Sequence, residues 1–285
     1  MPHRLPATTT LGPVTLRIAD LDRSLAFYRD LLGFEVLTSD TDGTATLGAN
    51  GKPLILLEAH AGLPPRPHDA PGLFHVAILL PDRPSLGAML GRLARHGIRL
   101  GASDHIVSEA LYLDDPDGNG LEIYCDRPRT DWRWHGGEVE MATEPMDTRA
   151  VLAQAAPEDE PYRLPAGTAI GHVHLQVGDL AEAKRFYVDI MGFDVTTESY
   201  PGALFVSAGG YHHHLGLNVW RSRGGKAAPH DRAGLERLVL QFPSPDAAAV
   251  RERAASADLN STEVPQGFIL RDPWGNAMLV TSEPA

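Results

Sequence analysis

The chain has 285 residues, room for about two domains, and an apolar fraction of 43% that supports a sizeable core. A formal net charge of −12 argues against nucleic acid or an anionic membrane as the main partner. The single cysteine, Cys125, excludes an intrachain disulfide and a cysteine-based zinc cluster, and no uninterrupted apolar run reaches membrane-spanning length.

Val14 to Asp40 read as strand, helix, strand. The expected helix runs from Leu21 to Leu32, with Leu25, Phe27, Tyr28 and Leu31 for packing and Gly33 as its C-cap. Two short strands follow, near Ala45–Leu47 and Leu54–Glu58. The pattern then returns three times. Module two spans about Gly72 to Arg127, with a helix from Ser85 to His96. Module three spans about Gly171 to Trp220, and its HVHLQVGDLAEAKRFYVDIMGFDV parallels PVTLRIADLDRSLAFYRDLLGFEV of module one. Module four spans about Leu235 to Ser282, with a helix from Asp246 to Ser256. Each module reads β-α-β-β-β. Pro128 to Thr168 differs: it is rich in Glu, Asp and Pro, and reads as a long linker packed in part by Trp132 and Trp134.

Within module two, His105 to Tyr124 carries the turn Asp115-Pro116-Asp117-Gly118-Asn119 between two strand-like runs. Glu122 alternates with Leu121 and Ile123, so it faces away from both, and a carboxylate among strands needs a cation or a hydrogen-bonded partner. The turn recurs as Asp272-Pro273-Trp274-Gly275-Asn276, but Leu279 stands where Glu122 would be. The turn therefore serves folding in both places, and the carboxylate marks one of them.

Two tandem pairs of such modules, with VGDLAEAKRFYVDIMGF-like helices and DPDGN turns, resemble the vicinal-oxygen-chelate superfamily, which includes glyoxalases, extradiol dioxygenases and bleomycin-resistance proteins. The resemblance implies an α+β fold of four βαβββ modules in two domains, 10–127 and 169–284, joined by a linker at 128–168. The modules are expected to pair into curved-sheet cups able to hold a metal. Fold alone does not decide chemistry.

Thirteen histidines are the compositional oddity. His75 precedes Asp82 by seven residues and His172 precedes Asp179 by seven, so both occupy the same place on the first strand of their modules. Module one has Pro13 there and module four Arg237. With Glu122 they make a set of two histidines and one carboxylate, which suits non-haem Fe(II), with Mn(II) as the other metal that accepts it. His174 shares a face with His172, and the matched offset favours His172. The set closes only if module two pairs with module three. Pairing of one with two would leave Pro13 at a ligand position and make His105 the substitute.

The stretch from His105 is similar to the extradiol dioxygenase signature, carried by His105, Leu111, Tyr112, Asp115, Pro116, Gly118 and Glu122, with Ser103 as a departure. That resemblance makes His75 and Glu122 iron ligands and puts His105 and Tyr112 beside the substrate oxygens. Gly209 to Leu217 is similar to the segment that carries an acid-base histidine in these enzymes. His213 is the best match, on an expected strand that turns His212 and His214 the other way. The implied activity is Fe(II)-dependent opening of catechol or a substituted catechol by O2 to a muconic semialdehyde. A glyoxalase-like lyase or isomerase, or a metal-free binder of small aromatics, are the competing functions on this fold. A homo-oligomer is expected. The opening MPHRLPATTT lacks the apolar core of a signal peptide, so a cytoplasmic location is expected.

Overall fold

The computed structural model describes residues 4–157, 161–227 and 229–282. Residues 158–160 of the expected linker and 228, 283 and 284 of the expected second domain lie outside the described residues.

All four modules have the expected order. Module one comprises β1 (Thr10–Ile18), α1 (Leu21–Leu25), β2 (Glu35–Ser39), β3 (Thr44–Ala49) and β4 (Lys52–Ala59). Module two comprises β5 (Gly72–Leu79), α2 (Arg83–Arg95), β6 (Gly101–Asp104), β7 (Ser108–Asp114) and β8 (Gly120–Asp126). The intervening segment holds β9 (Trp134–His135), β10 (Glu138–Val139), β11 (Glu144–Pro145) and α3 (Thr148–Leu152). Module three comprises β12 (Ala169–Gln176), α4 (Leu180–Lys184), β13 (Asp194–Thr197), β14 (Ala203–Ser207) and β15 (Leu215–Asn218). Module four comprises β16 (Gly234–Gln241), α5 (Ser244–Ser256), β17 (Thr262–Val264), β18 (Gly267–Arg271) and β19 (Ala277–Thr281).

The modules interleave. One sheet has the order β17-β18-β19-β16-β1-β4-β3-β2, joining module four to module one; the other runs β11-β6-β7-β8-β5-β12-β15-β14-β13, joining two to three. The first strands of paired modules meet antiparallel, β1 on β16 and β5 on β12. The alternative of module one with module two is not adopted. Period-two alternation sends Val76, Ile78, Val173 and Leu175 to the same apolar core as Leu16, Ile18, Leu238 and Leu240. The opposite face of β5 and β12 is left for polar side chains.

Three helices start at aspartates, two of which, Asp82 and Asp179, are the points from which the histidine offsets are counted. Asp20, Asp82 and Asp179 accept from the backbone N–H groups of Arg23, Ser85 and Glu182 at 2.8–2.9 Å. Such N-caps contribute about 1 kcal/mol each. They anchor the strand-to-helix corner, which is why the seven-residue offset is structurally meaningful. The expected helix over Leu21 to Leu32 is α-helical only to Leu25. A π-turn, Ala26–Leu31, follows, with Leu32 N–H donating to Phe27 O; module three repeats it at Arg185–Ile190. Gly33 ends the turn at φ +83°, and a Cβ there would strike the Tyr162 ring at 2.6 Å.

Each π-turn delivers a buried tyrosine to the aspartate turn of the next module. The Tyr28 hydroxyl donates to Asp115 Oδ2 (3.0 Å), and Tyr187 donates to Asp272 Oδ2 (2.9 Å). Asp115 also accepts from the backbone of Asp117 and Asn119 and from the Asn119 amide; Asp272 repeats the pattern with Trp274 and Asn276. Tandem modules are thus tied through turns while the sheets pair them differently.

The segment expected as a linker is built into the fold. β11 extends the nine-stranded sheet beside β6, and Ala156 N–H, just past α3, donates to Pro84 O at the start of α2. Its tryptophans part company: Trp132 is buried and donates to Arg127 O (3.0 Å), whereas Trp134 is 42% exposed and takes no part in the core.

Candidate metal centre

β5 lies between β8 and β12, and Ala77 is the register partner of Glu122 on one side and His172 on the other. His75, two residues along the same face, is opposite His174. Two bulges bracket this stretch of the β5–β12 ladder, with Gly171 the extra residue on β12 and Phe74 the extra residue on β5. The first bulge brings His172 into phase with Ala77. It must be glycine, because a Cβ at 171 would lie 1.8 Å from the Tyr124 hydroxyl.

Glu122 Oε2 sits 3.0 Å from His75 Nε2 and 3.1 Å from His172 Nε2, with all three side chains buried. His172 Nε2 is within hydrogen-bonding geometry of the carboxylate, while His75 Nε2 is buried with no hydrogen-bond partner. One ligand atom from each residue lies within 4.8 Å of the others, and this is the one such group of three among the described residues. Burial alone would push Glu122 up, but the two imidazoles hold its carboxyl well below the usual range. Burial pushes His172 down to about 4, against the pull of Glu122. A neutral imidazole at His172 and an ionised carboxylate at Glu122 are protonation states a divalent metal requires.

The group lies on the wall of a cavity of about 330 Å³. Tyr112 from β7, Glu122 from β8, His75 from β5, His172 from β12 and Phe205 from β14 all reach it. Five strands at about 4.8 Å spacing can share one cavity of this size only if the sheet curls. Phe74, Phe205 and Trp220 supply aromatic wall, and no Lys or Arg is among the described residues that line the cavity.

The sequence-derived residues fall out as follows. His172 stands against Glu122; His174 lies beside His75 with ring centroids 5.0 Å apart and packs among Phe74, Phe205 and Trp220. His213 lines the cavity, its ring 4.1 Å from that of His172. It is not on a strand, as expected, but in the loop that enters β15. His212 and His214 do turn away from the cavity: His212 Nε2 meets Asp126 Oδ1 (2.8 Å), and His214 Nδ1 meets the Ser207 hydroxyl (2.8 Å). His105 is engaged at both ring nitrogens. Nδ1 donates to Ala142 O (2.6 Å), which leaves Nε2 to accept from the Tyr112 hydroxyl (2.6 Å). Burial, then the charge of Glu122, push the Tyr112 phenol well up, so it stays protonated. In the other sheet, Arg237 pairs in register with Thr15, Pro13 lies at a register shift of β1, and Leu279 is buried.

Several contributors carried no signal in the sequence. Met141, Ala142 and Thr143 of the intervening segment line the cavity, and the Thr143 and Tyr200 hydroxyls are 2.9 Å apart. Ala77 looks like any core alanine until the register is known.

The family model described as the Glyoxalase/Bleomycin resistance protein/Dioxygenase superfamily matches residues 10–123 and 169–279. The chain is 46% identical over 281 residues to a catechol-2,3-dioxygenase of Bacillus subtilis (strain 168), covering 95% of this chain and 96% of that one. It is 30% identical over 130 residues to an iron-dependent extradiol dioxygenase of Rhodococcus jostii (strain RHA1), 41% of this chain and 43% of that one. Among solved structures, glyoxalase I from Zea mays superposes with a TM-score of 0.59 at 15% identity, over 96% of this chain and 92% of that one, a likeness of fold.

Proposed function

The chain belongs to the glyoxalase/bleomycin resistance protein/dioxygenase superfamily, and from that premise we propose that it is an extradiol dioxygenase opening a catechol with O2 to a muconic semialdehyde. The observation that carries the reading is the 46% identity to a catechol-2,3-dioxygenase across nearly the whole of both chains.

The donor set fits a divalent first-row cation: buried Nε2 of His75 has no hydrogen-bond partner, and it converges with His172 on a carboxylate kept ionised. We assign His75, His172 and Glu122 as ligands of Fe(II), with Mn(II) as the metal that the same donors accept. When bound, the ion supplies a Lewis-acidic centre with open positions through which catechol and O2 exchange electrons.

The chain's own residues do the rest. His213, beside the ligand group, takes a proton from a catechol hydroxyl and returns it later. Tyr112, held protonated with its one O–H directed to His105, offers its hydroxyl oxygen as an acceptor to a catechol hydroxyl. Phe74, Phe205 and Trp220 pack the ring and exclude water. With no Lys or Arg among its described lining residues, the cavity leaves an anionic ring substituent unpaired, so the favoured substrates are catechol and catechols with apolar substituents. Glu122 is the one carboxylate among the described lining residues. A cytoplasmic setting and a homo-oligomeric state belong to the same proposal.

The test is O2 uptake by Fe(II)-reconstituted protein with catechol, neutral substituted catechols and carboxylated catechols. Uptake with the neutral compounds and formation of a yellow semialdehyde are expected. Absence of uptake with every catechol, in protein that retains its metal, rejects the reading.

A further inference from the structure

We propose that Asp126, acting through His212, fixes His213 as the tautomer with its proton on Nδ1, so that Nε2 meets the cavity as an unprotonated nitrogen. The inference rests on the reading that His213 handles substrate protons.

Asp126 closes β8, and its Oδ1 is 2.8 Å from His212 Nε2. An ionised carboxylate only accepts, so His212 carries its proton on Nε2. The Nδ1 atoms of His212 and His213 are 2.8 Å apart. With His212 in the one-proton form that this proposal assigns it, its N–H is on Nε2, so its Nδ1 is the acceptor and His213 Nδ1 the donor. Nε2 of His213 makes no hydrogen bond among the described residues, and His213 itself lines the cavity. His212 cannot swing to another arrangement, since it is fully buried with its ring 4.1 Å from Tyr211 and 5.1 Å from Trp132. The chain Asp126–His212–His213 thus sets which nitrogen is basic at the site, without Asp126 touching the cavity. Asp126 is a positioning residue, in the way that an aspartate orients a catalytic imidazole through one ring nitrogen.

Two measurements test this. The first is nitrogen NMR of histidine-labelled full-length protein, freed of metal by chelation. It should find His213 protonated on Nδ1 and bare on Nε2, and Asp126→Asn should disturb that state, because the new amide can donate to His212 Nε2. The second is kinetics of the holoenzyme. Asp126→Asn should lower kcat by about tenfold or more, with His213→Phe as the ceiling, while bound metal and KM stay within about twofold. Asp126→Glu, which keeps the carboxylate, should recover most of the rate. In a His213→Phe background, Asp126→Asn should cost nothing further. A proton on His213 Nε2 in the unaltered chain overturns the proposal. So does an Asp126→Asn cost that is undiminished when His213 is already Phe. If the unaltered holoenzyme consumes no O2, the dioxygenase reading falls, and the NMR measurement still decides the tautomer.

Discussion

Glu122 and His172 approach to 3.1 Å across a strand to which neither belongs. β5 runs between their backbones, and Ala77 is the register partner of both. Backbones two strands apart are about 10 Å distant, so the two side chains must lean over residue 77 to meet.

A larger residue at that point should therefore act as a wedge. Ala77→Leu is expected to lower metal affinity although it removes no ligand. Overpacking of this kind costs about 1–3 kcal/mol, which a fold of this size tolerates. Metal content and thermal midpoint measured on the same preparation check it. Full occupancy in a folded Ala77→Leu protein would show that the side chains do not need the space.

Metal content should also track the three assigned ligands. His75→Ala, His172→Ala and Glu122→Ala are each expected to lose most bound iron, and the unaltered chain to bind one ion. The sheet built from modules one and four, with Pro13, Arg237 and Leu279 at the corresponding places, should add none. Elemental analysis of untagged protein is the measurement. Two ions per chain, or a fully loaded His172→Ala protein, would refute the assignment.

His213→Phe should retain iron and lose turnover, by about a hundredfold to ten-thousandfold, as expected for removal of a general acid-base group. His214 accepts from Ser207 away from the cavity, so His214→Ala should cost stability and leave kcat within about twofold. Steady-state kinetics normalised to bound metal decide the matter. A fully active His213→Phe protein alongside a crippled His214→Ala protein would assign the role to the wrong histidine.

Tyr28→Phe and Tyr187→Phe remove equivalent hydrogen bonds to buried carboxylates, each worth about 1.5–3 kcal/mol. Both should lower the denaturation midpoint. They should differ in a second respect. The turn held by Tyr28 leads directly into β8 and Glu122, whereas the turn held by Tyr187 leads into β19 and Leu279. Weakened metal binding is expected in Tyr28→Phe alone. Equal metal affinities in the two variants would detach the turn from the site.

The convergence of His75, His172 and Glu122 is legible in the sequence because the fold repeats. Asp20, Asp82 and Asp179 cap helices in three modules, so distances measured from them are distances from a fixed corner of the structure. Leu279 serves as the blank against which Glu122 stands out. The same logic fails wherever the chain does not repeat. Ala142 holds His105, and Met141 lines the cavity, yet they belong to a segment with no periodicity and no second copy. The pairing of Asp126 with His212, 86 residues on, depends on sheet register rather than local pattern. The π-turns are hidden for another reason: they keep the apolar spacing of a helix, and the departure lies only in the backbone.

Because β1 pairs with β16, the first strand of the protein keeps one bare edge until a strand beginning at residue 234 exists. The same holds for β5, which waits for β12. On the ribosome, the emerging first half would therefore present two unpaired edges, each an invitation to the wrong neighbour. The proposed ligand group comes together late in synthesis, since His172 follows Glu122 by 50 residues. Neither half made alone contains the whole proposed ligand set, and separately expressed halves would gain it only by recombining.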